Sequence, residues 1–167
     1  MEKLVDNPGR IGLPVRSFES LQIGETHRSP IRVLEQSTIV AFAEVTGDMN
    51  PIHLDPAFAR RTVFRGTVAH GMLLSGILTG MAYDTGLLGE NILALESSEE
   101  RYLAPVRPGD RIRGSVRISG KDPGVSKRCG RVRWDVKMEK IRDDGLPELV
   151  LVVHWNTLVF KAAYLKA

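Results

Sequence analysis

The chain holds a single cysteine, Cys129, among 167 residues. An internal disulfide is excluded, and a cytoplasmic location is expected, because lone thiols suit a reducing compartment. Cys129 reads as an inert strand residue rather than a nucleophile. No apolar run approaches the length of a membrane span, so no membrane association is expected. The N-terminus lacks an uninterrupted apolar region behind a basic start, so no signal peptide is expected either. Charge of one sign is scarce: 23 Lys and Arg stand against 20 Asp and Glu, a formal net charge of +3. That excess does not argue for nucleic acid, and no basic motif interleaved with aromatics accompanies it. Internal repeats, low-complexity segments and linkers are missing too.

What is present is the composition of an ordinary soluble globular protein, at a length that suits one domain with a sizeable core. One stretch concentrates the chemistry: Thr46-Gly47-Asp48-Met49-Asn50-Pro51-Ile52-His53. Pro51 has no backbone N–H and a fixed φ, so a rigid loop is expected here rather than a regular helix. Asn50, before proline, is pushed into an extended conformation. Such a loop turns Asp48 and His53 toward a common point, where a carboxylate and an imidazole can share a water and move protons. Standing alone, Asp48 would read as a turn-forming Asx residue; the company of Asn50, Pro51 and His53 turns the reading to catalysis. His70 stands seventeen residues after His53, in the run Ala69-His70-Gly71-Met72-Leu73-Leu74 that opens an apolar helix. No metal is expected. An EF-hand would need glycine and glutamate where His53 and Ala59 stand, and His53, His70 and Cys129 have no recognised zinc-ligand spacing.

Residues 42–72 resemble the signature of the MaoC-like dehydratases, the (R)-specific enoyl-CoA hydratase group: G-D-x-N-P-x-H, a short spacer, then H-G. Both halves are intact here. The resemblance runs from residue 17 to about residue 160 and takes in the lead-in at 18–24 and the turn Leu-Ala-Pro-Val-Arg-Pro-Gly-Asp at 103–110. It implies an α+β hot-dog domain over residues 17–167, an antiparallel sheet wrapped around a long central helix, with residues 1–16 as an N-terminal arm. It also implies a homodimer or a dimer of dimers, with sheets joined edge to edge.

The reaction implied is reversible hydration of a trans-2-enoyl thioester to the (R)-3-hydroxyacyl thioester. The acyl carrier is coenzyme A or acyl carrier protein, and no cofactor is needed beyond coenzyme A as part of the substrate. In this reading Asp48 activates water and His53 handles the α-proton. Asn50 fixes the loop through its amide, and His70 holds the loop. Helix N-termini carry free N–H groups and partial positive charge, so the Gly71 N–H suits an enolate oxygen. Thr79 matches a hydroxyl position that supports the dyad in some relatives; a hydroxyl bonded back to a helix carbonyl is the other reading. Arg60, Arg61 and Arg65 form either a solvated basic loop or a contact for coenzyme A phosphates, which guanidinium groups suit. Two other classes compete. A hot-dog thioesterase would release free thiol. A non-catalytic partner subunit or coenzyme-A-binding regulator would bind without turnover, and a partner subunit would be expected to lack Asp48 or His53.

The remaining elements are read from pattern. A strand is expected over 25–36 and a helix over 38–45, capped by Ser37 and stopped by Gly47. A short helix follows over 56–61, then an irregular connection over 62–68. The helix from 70 to about 86 is apolar almost all round and is expected to be buried. Gly76 and Gly80 inside it suggest either close approach of a sheet or room for an acyl chain. Strands are expected over 92–103, 111–119, 128–140 and 148–160, the second and third with clean alternation and the last as a central strand.

Overall fold

Alternation sets the sheet. In the computed structural model, which describes residues 4–6 and 15–165, four long antiparallel strands follow the central helix. They are β4 (Ile92–Tyr102), β5 (Arg111–Asp122), β6 (Cys129–Ile141) and β7 (Pro147–Phe160). The short strands β1 (Leu4–Asp6), β2 (Thr26–Arg28) and β3 (Arg32–Val33) precede them. The order across the sheet is β1-β2-β5-β6-β7-β4, with β3 also on β5; among the described residues only the β1–β2 pair is parallel. Most of the expected arm over 1–16 lies outside the described residues.

The expected inward residues are inward. Ile112, Val116 and Ile118 of β5 and Val132, Trp134, Val136 and Met138 of β6 are all fully buried. The indole N–H of Trp134 donates to Thr157 Oγ1 at 2.8 Å, so this large ring is buried without a polar orphan. β7 is an inner strand, between β6 and β4. Its pairing with β6 slips between Met138 and Glu139, leaving Val150 as an extra residue. This bulge explains why Val150 and its neighbour Leu151 are both buried.

Helix α4 (Gly71–Asp84) lies on the concave side and buries Leu73, Leu74, Leu78, Met81 and Ala82. Its burial is one-sided, contrary to the pattern expectation: Met72 is 65% exposed, and Gly76, Thr79 and Tyr83 follow it along an open stripe. One sheet can cover only one side of a helix, and the spacing 72, 76, 79, 83 is the side away from it. The helix glycines are therefore not the sites of close approach. A Cβ on Gly76 would meet nothing within 4 Å, and one on Gly80 only an Arg32 nitrogen at 3.9 Å. The close approach is made by Gly114 of β5, where a Cβ would stand 2.9 Å from Met81 Cβ and 3.2 Å from Leu78 Cδ1. No helix among the described residues is long and apolar enough to cross a membrane.

Two local expectations are corrected. The strand expected over 25–36 is broken between β2 and β3 at Ser29-Pro30-Ile31, because Pro30 cannot donate to a ladder. Ser29 bridges the gap: its N–H reaches the Gly114 carbonyl at 2.9 Å, and its Oγ accepts from the Gly114 N–H at 3.0 Å. Helix α1 (Gln36–Thr46) starts after Glu35, with no side-chain cap, and Ser37 lies inside it. The chain is already pinned at Leu34, whose N–H and C=O bond to Asp110 and Gly109, so the helix begins before Ser37 can cap it.

Candidate active site

Helix α1 ends at Gly47, in the left-handed conformation with φ 76°. That turn releases Asp48 into the motif. The next segment is a correction to the expected loop. Pro51–Leu54 forms a single helical turn, α2, with Pro51 at its first position. The missing N–H of proline is no loss there, since a first-turn N–H has no helical partner anyway. Asn50 caps this turn, its Oδ1 accepting the Ile52 N–H at 3.1 Å. Its backbone, φ −56° and ψ 124°, is extended as expected. Asp55 caps the following helix α3 (Pro56–Arg60) through Oδ1 contacts to Ala57 and Phe58 N–H.

The turn α2 brings His53 against His70. Their rings stack at 3.7 Å between centroids, 29° apart, and Phe42 lies 5.0 Å from His70 on another side. His53 Nδ1 lies 2.7 Å from the Val68 carbonyl. A carbonyl only accepts, so Nδ1 carries the proton, and the Nε2 of a neutral His53 presents a lone pair. His70, 2% exposed, donates from Nε2 to the backbone carbonyl of Asp48 at 3.0 Å. Its Nδ1 is buried without a partner. His70 thus touches both members of the expected dyad: the Asp48 carbonyl by hydrogen bond and the His53 ring by stacking. Asp48 is exposed, and its Oδ1 accepts the Asn50 N–H at 3.3 Å.

Donor atoms of Asp48, His53 and His70 lie within 4.8 Å of one another. Such a trio could offer itself to a metal ion. One nitrogen of each imidazole is committed to a backbone carbonyl, which leaves His53 Nε2 and His70 Nδ1 with the lone pairs.

A cavity of about 350 Å³ opens beside this cluster, lined by His53, Gly71 and a mostly apolar wall that includes Phe64, Leu74, Tyr102 and Val106. Gly71 opens α4, and no side chain caps the helix start at His70. Helix N-terminal N–H groups lack helical partners, so the Gly71 end offers donors beside the cavity. Tyr102 was not singled out by sequence, although an aromatic at the end of a strand and just before a Pro-rich turn is a usable signal. A Cβ on Gly71 would stand 3.2 Å from Tyr102 Cε1 and Cζ. The ring is held by a 2.7 Å bond between its hydroxyl and Ser75 Oγ.

Other expected residues lie elsewhere. Thr79 sits on the open stripe of α4, its hydroxyl donating back to the Gly76 carbonyl at 2.6 Å. Arg60, Arg61 and Arg65 are exposed around the connection over 62–68, and none lines the cavity. It is Phe64, between them in sequence, that does.

Residues 18–140 match the family described as MaoC like domain. A 3-hydroxybutyryl-CoA dehydratase of Methylorubrum extorquens is 37% identical over 107 residues, which is 64% of this chain and 66% of that protein, just under two thirds of its length. An (R)-specific enoyl-CoA hydratase of Aeromonas caviae is 35% identical over 103 residues, 62% of this chain and 75% of that relative. Among solved structures, an unliganded R-hydratase of Pseudomonas aeruginosa is similar with a TM-score of 0.71 and 26% identity, covering 87% of this chain and 86% of that one. The α+β hot-dog expectation is borne out by this likeness and by the sheet and helix described above.

Proposed function

This chain belongs to the MaoC-like dehydratase family, and from that premise we propose that it reversibly hydrates trans-2-enoyl-CoA to (R)-3-hydroxyacyl-CoA. The observation that carries the reading is that Asp48 gathers with His53, while His53 and the uncapped start of α4 line one apolar cavity. The acyl chain occupies the cavity, and the thioester oxygen lies at the Gly71 N–H. In hydration the Asp48 carboxylate takes a proton from water as its oxygen bonds to C3. The imidazolium of His53 gives its Nε2 proton to C2. In dehydration the same two transfers run backward, and neutral His53 accepts the α-proton at Nε2. The Nδ1–H bond to Val68 persists through both states of the ring. Enolate charge on the thioester oxygen is met by the Gly71 N–H, a contact of the kind that contributes about 10²–10³ in rate. Arg60, Arg61 and Arg65 supply charge for the coenzyme A phosphates.

Asp48→Asn and His53→Ala test the reading. Each is expected to lower hydration turnover by about 10²–10⁴-fold. The double variant should lose far less than the product, because the two act as a unit. The assay follows loss of enoyl-thioester absorbance, with free thiol titrated in parallel. Near-normal hydration by either folded variant would refute the mechanism, and thiol release surviving both changes would mark a thioesterase.

We also propose that the chain pairs with a second copy along β4. This strand lies at the sheet edge with Leu93 49% and Leu95 55% exposed. An unpaired edge strand with exposed apolar side chains is a template for pairing with another chain. A monomer by light scattering at micromolar concentration would count against it.

A further inference from the structure

The connection over 62–68 is held by a side chain outside the dyad. The Arg107 guanidinium donates to two of its carbonyls, Phe64 O through Nη2 and Thr67 O through Nη1 at 3.4 Å. Arg107 is itself fixed in the turn over 104–110, where its N–H reaches Asp110 Oδ2 at 2.8 Å. Two features of the connection are shaped to this clamp. Arg65 stands at φ 58°, the only described non-glycine residue with a positive φ. A Cβ on Gly66 would come within 2.9 Å of Arg107 Nη1. A left-handed residue followed by one without a side chain bends the chain so that both carbonyls face one planar fork.

Downstream, two successive peptide planes are pinned at both ends. The plane between Thr67 and Val68 is held by Arg107 at its carbonyl and, through the Val68 N–H, by the Ile52 carbonyl at 3.4 Å. The plane between Val68 and Ala69 is held by the Ala69 N–H on the Val106 carbonyl at 2.8 Å. Its own carbonyl accepts from His53 Nδ1. The carbonyl that fixes the His53 tautomer is therefore itself positioned from the turn over 104–110.

We propose that Arg107 is a positioning residue for His53, acting through the connection over 62–68 to aim the Val68 carbonyl at Nδ1. The catalytic consequence rests on the hydratase reading; the orientation of His53 does not. Partners that orient a histidine through its second nitrogen are, at metal sites, worth about 10–100-fold in affinity or activity. A loss of that size in kcat is expected for Arg107→Gln, with KM changed less. Arg107→Lys should follow Arg107→Gln, because a point charge cannot span two carbonyls as a fork does.

The deciding readout is the ¹⁵N resonance pattern of the His53 ring. The wild-type protein should show a protonated Nδ1 and a lone pair on Nε2 at a pH where the ring is neutral, and the Arg107 variants a mixture of tautomers. A packing role alone would leave that pattern unmoved. Gly66→Ala keeps the arginine but forces the end of its flexible side chain aside. It should shift the pattern the same way with a smaller fall in kcat, and it decides the matter should Arg107→Gln fail to fold. An unchanged tautomer in folded Arg107→Gln or in Gly66→Ala overturns the proposal, as does full kcat in Arg107→Lys. A tautomer shift in a protein that hydrates no enoyl thioester would uphold the positioning and sink the hydratase reading.

Discussion

Replacing Gly71 with alanine tests whether the Tyr102 ring is what demands glycine at the head of α4. The added Cβ would lie 3.2 Å from Tyr102 Cε1 and Cζ, against ordinary contact distances of 3.4–4 Å, so the ring must retreat by a few tenths of an ångström. The 2.7 Å bond from its hydroxyl to Ser75 Oγ resists that movement. Overpacking of this kind costs about 1–3 kcal/mol, while alanine gains up to about 1 kcal/mol of helix propensity over glycine. A net loss of up to about 2 kcal/mol follows, or a fall of up to about 8 °C in Tm at this size. In a Tyr102→Ala background the clash is gone and only the propensity gain remains, so Gly71→Ala should become neutral or stabilising. Urea unfolding of the four proteins, compared at constant m-value, gives the coupling. The expected value is about 1–3 kcal/mol, and one below about 0.5 kcal/mol, the range of independent sites, would refute the reasoning. Hydration measured on the same four proteins separates packing from approach. If the methyl blocks the thioester oxygen, Gly71→Ala should still lower turnover in the Tyr102→Ala background, where it no longer costs stability.

The packed glycine of β5 and the open glycine of α4 should respond in opposite directions. Gly114→Ala should cost about 1–3 kcal/mol by driving Met81 off the sheet, whereas Gly76→Ala, with open space around it, should be neutral or gain up to about 1 kcal/mol; equal urea midpoint shifts would contradict the packing described. Burial pushes the Glu25 carboxyl up, but bonds from Arg16, His27 and the Gln22 N–H outweigh it and hold its pKa below the ordinary carboxylate value. A depressed folded value means stability that is present above the unfolded pKa and lost as pH falls through the folded one. Glu25→Gln should therefore flatten the acid side of the stability–pH curve, and an unchanged acid slope would remove this account.

The legible parts of this protein were those written in consecutive residues. The alternation of β5 and β6 marks their inward faces in the sequence itself, and Gly47 marks the end of α1. The run from Asp48 to His53 holds two of the three residues that gather, His70 being the third. What escaped depended on distance along the chain. The turn α2 was missed because proline reads as a breaker, although at the first helical position it breaks nothing. Gly76 and Gly80 suggested close approach, yet the approach is made by Gly114, thirty-odd residues further on, and only the packed pair reveals it. Tyr102 and Arg107 looked like the end of a strand and part of a turn. Their importance comes from meeting Gly71 and the 62–68 connection, and a single sequence does not display such meetings.

The extra residue at Val150 carries a consequence for how substrate range can diverge. Its carbonyl accepts the Leu103 N–H at 2.9 Å, extending the β4 pairing past Tyr102 and setting where Leu103, Ala104 and Pro105 stand as a wall of the cavity. The residues proposed to handle protons come from another part of the chain, between α1 and α4. Pocket wall and proposed chemistry are thus joined at the turn over 104–110, which continues that wall and also holds the segment whose Val68 carbonyl meets His53. Sliding the bulge by one position along β7 would move the wall and that turn together, so under the proposed function a retuned pocket would also have to keep the hold on His53.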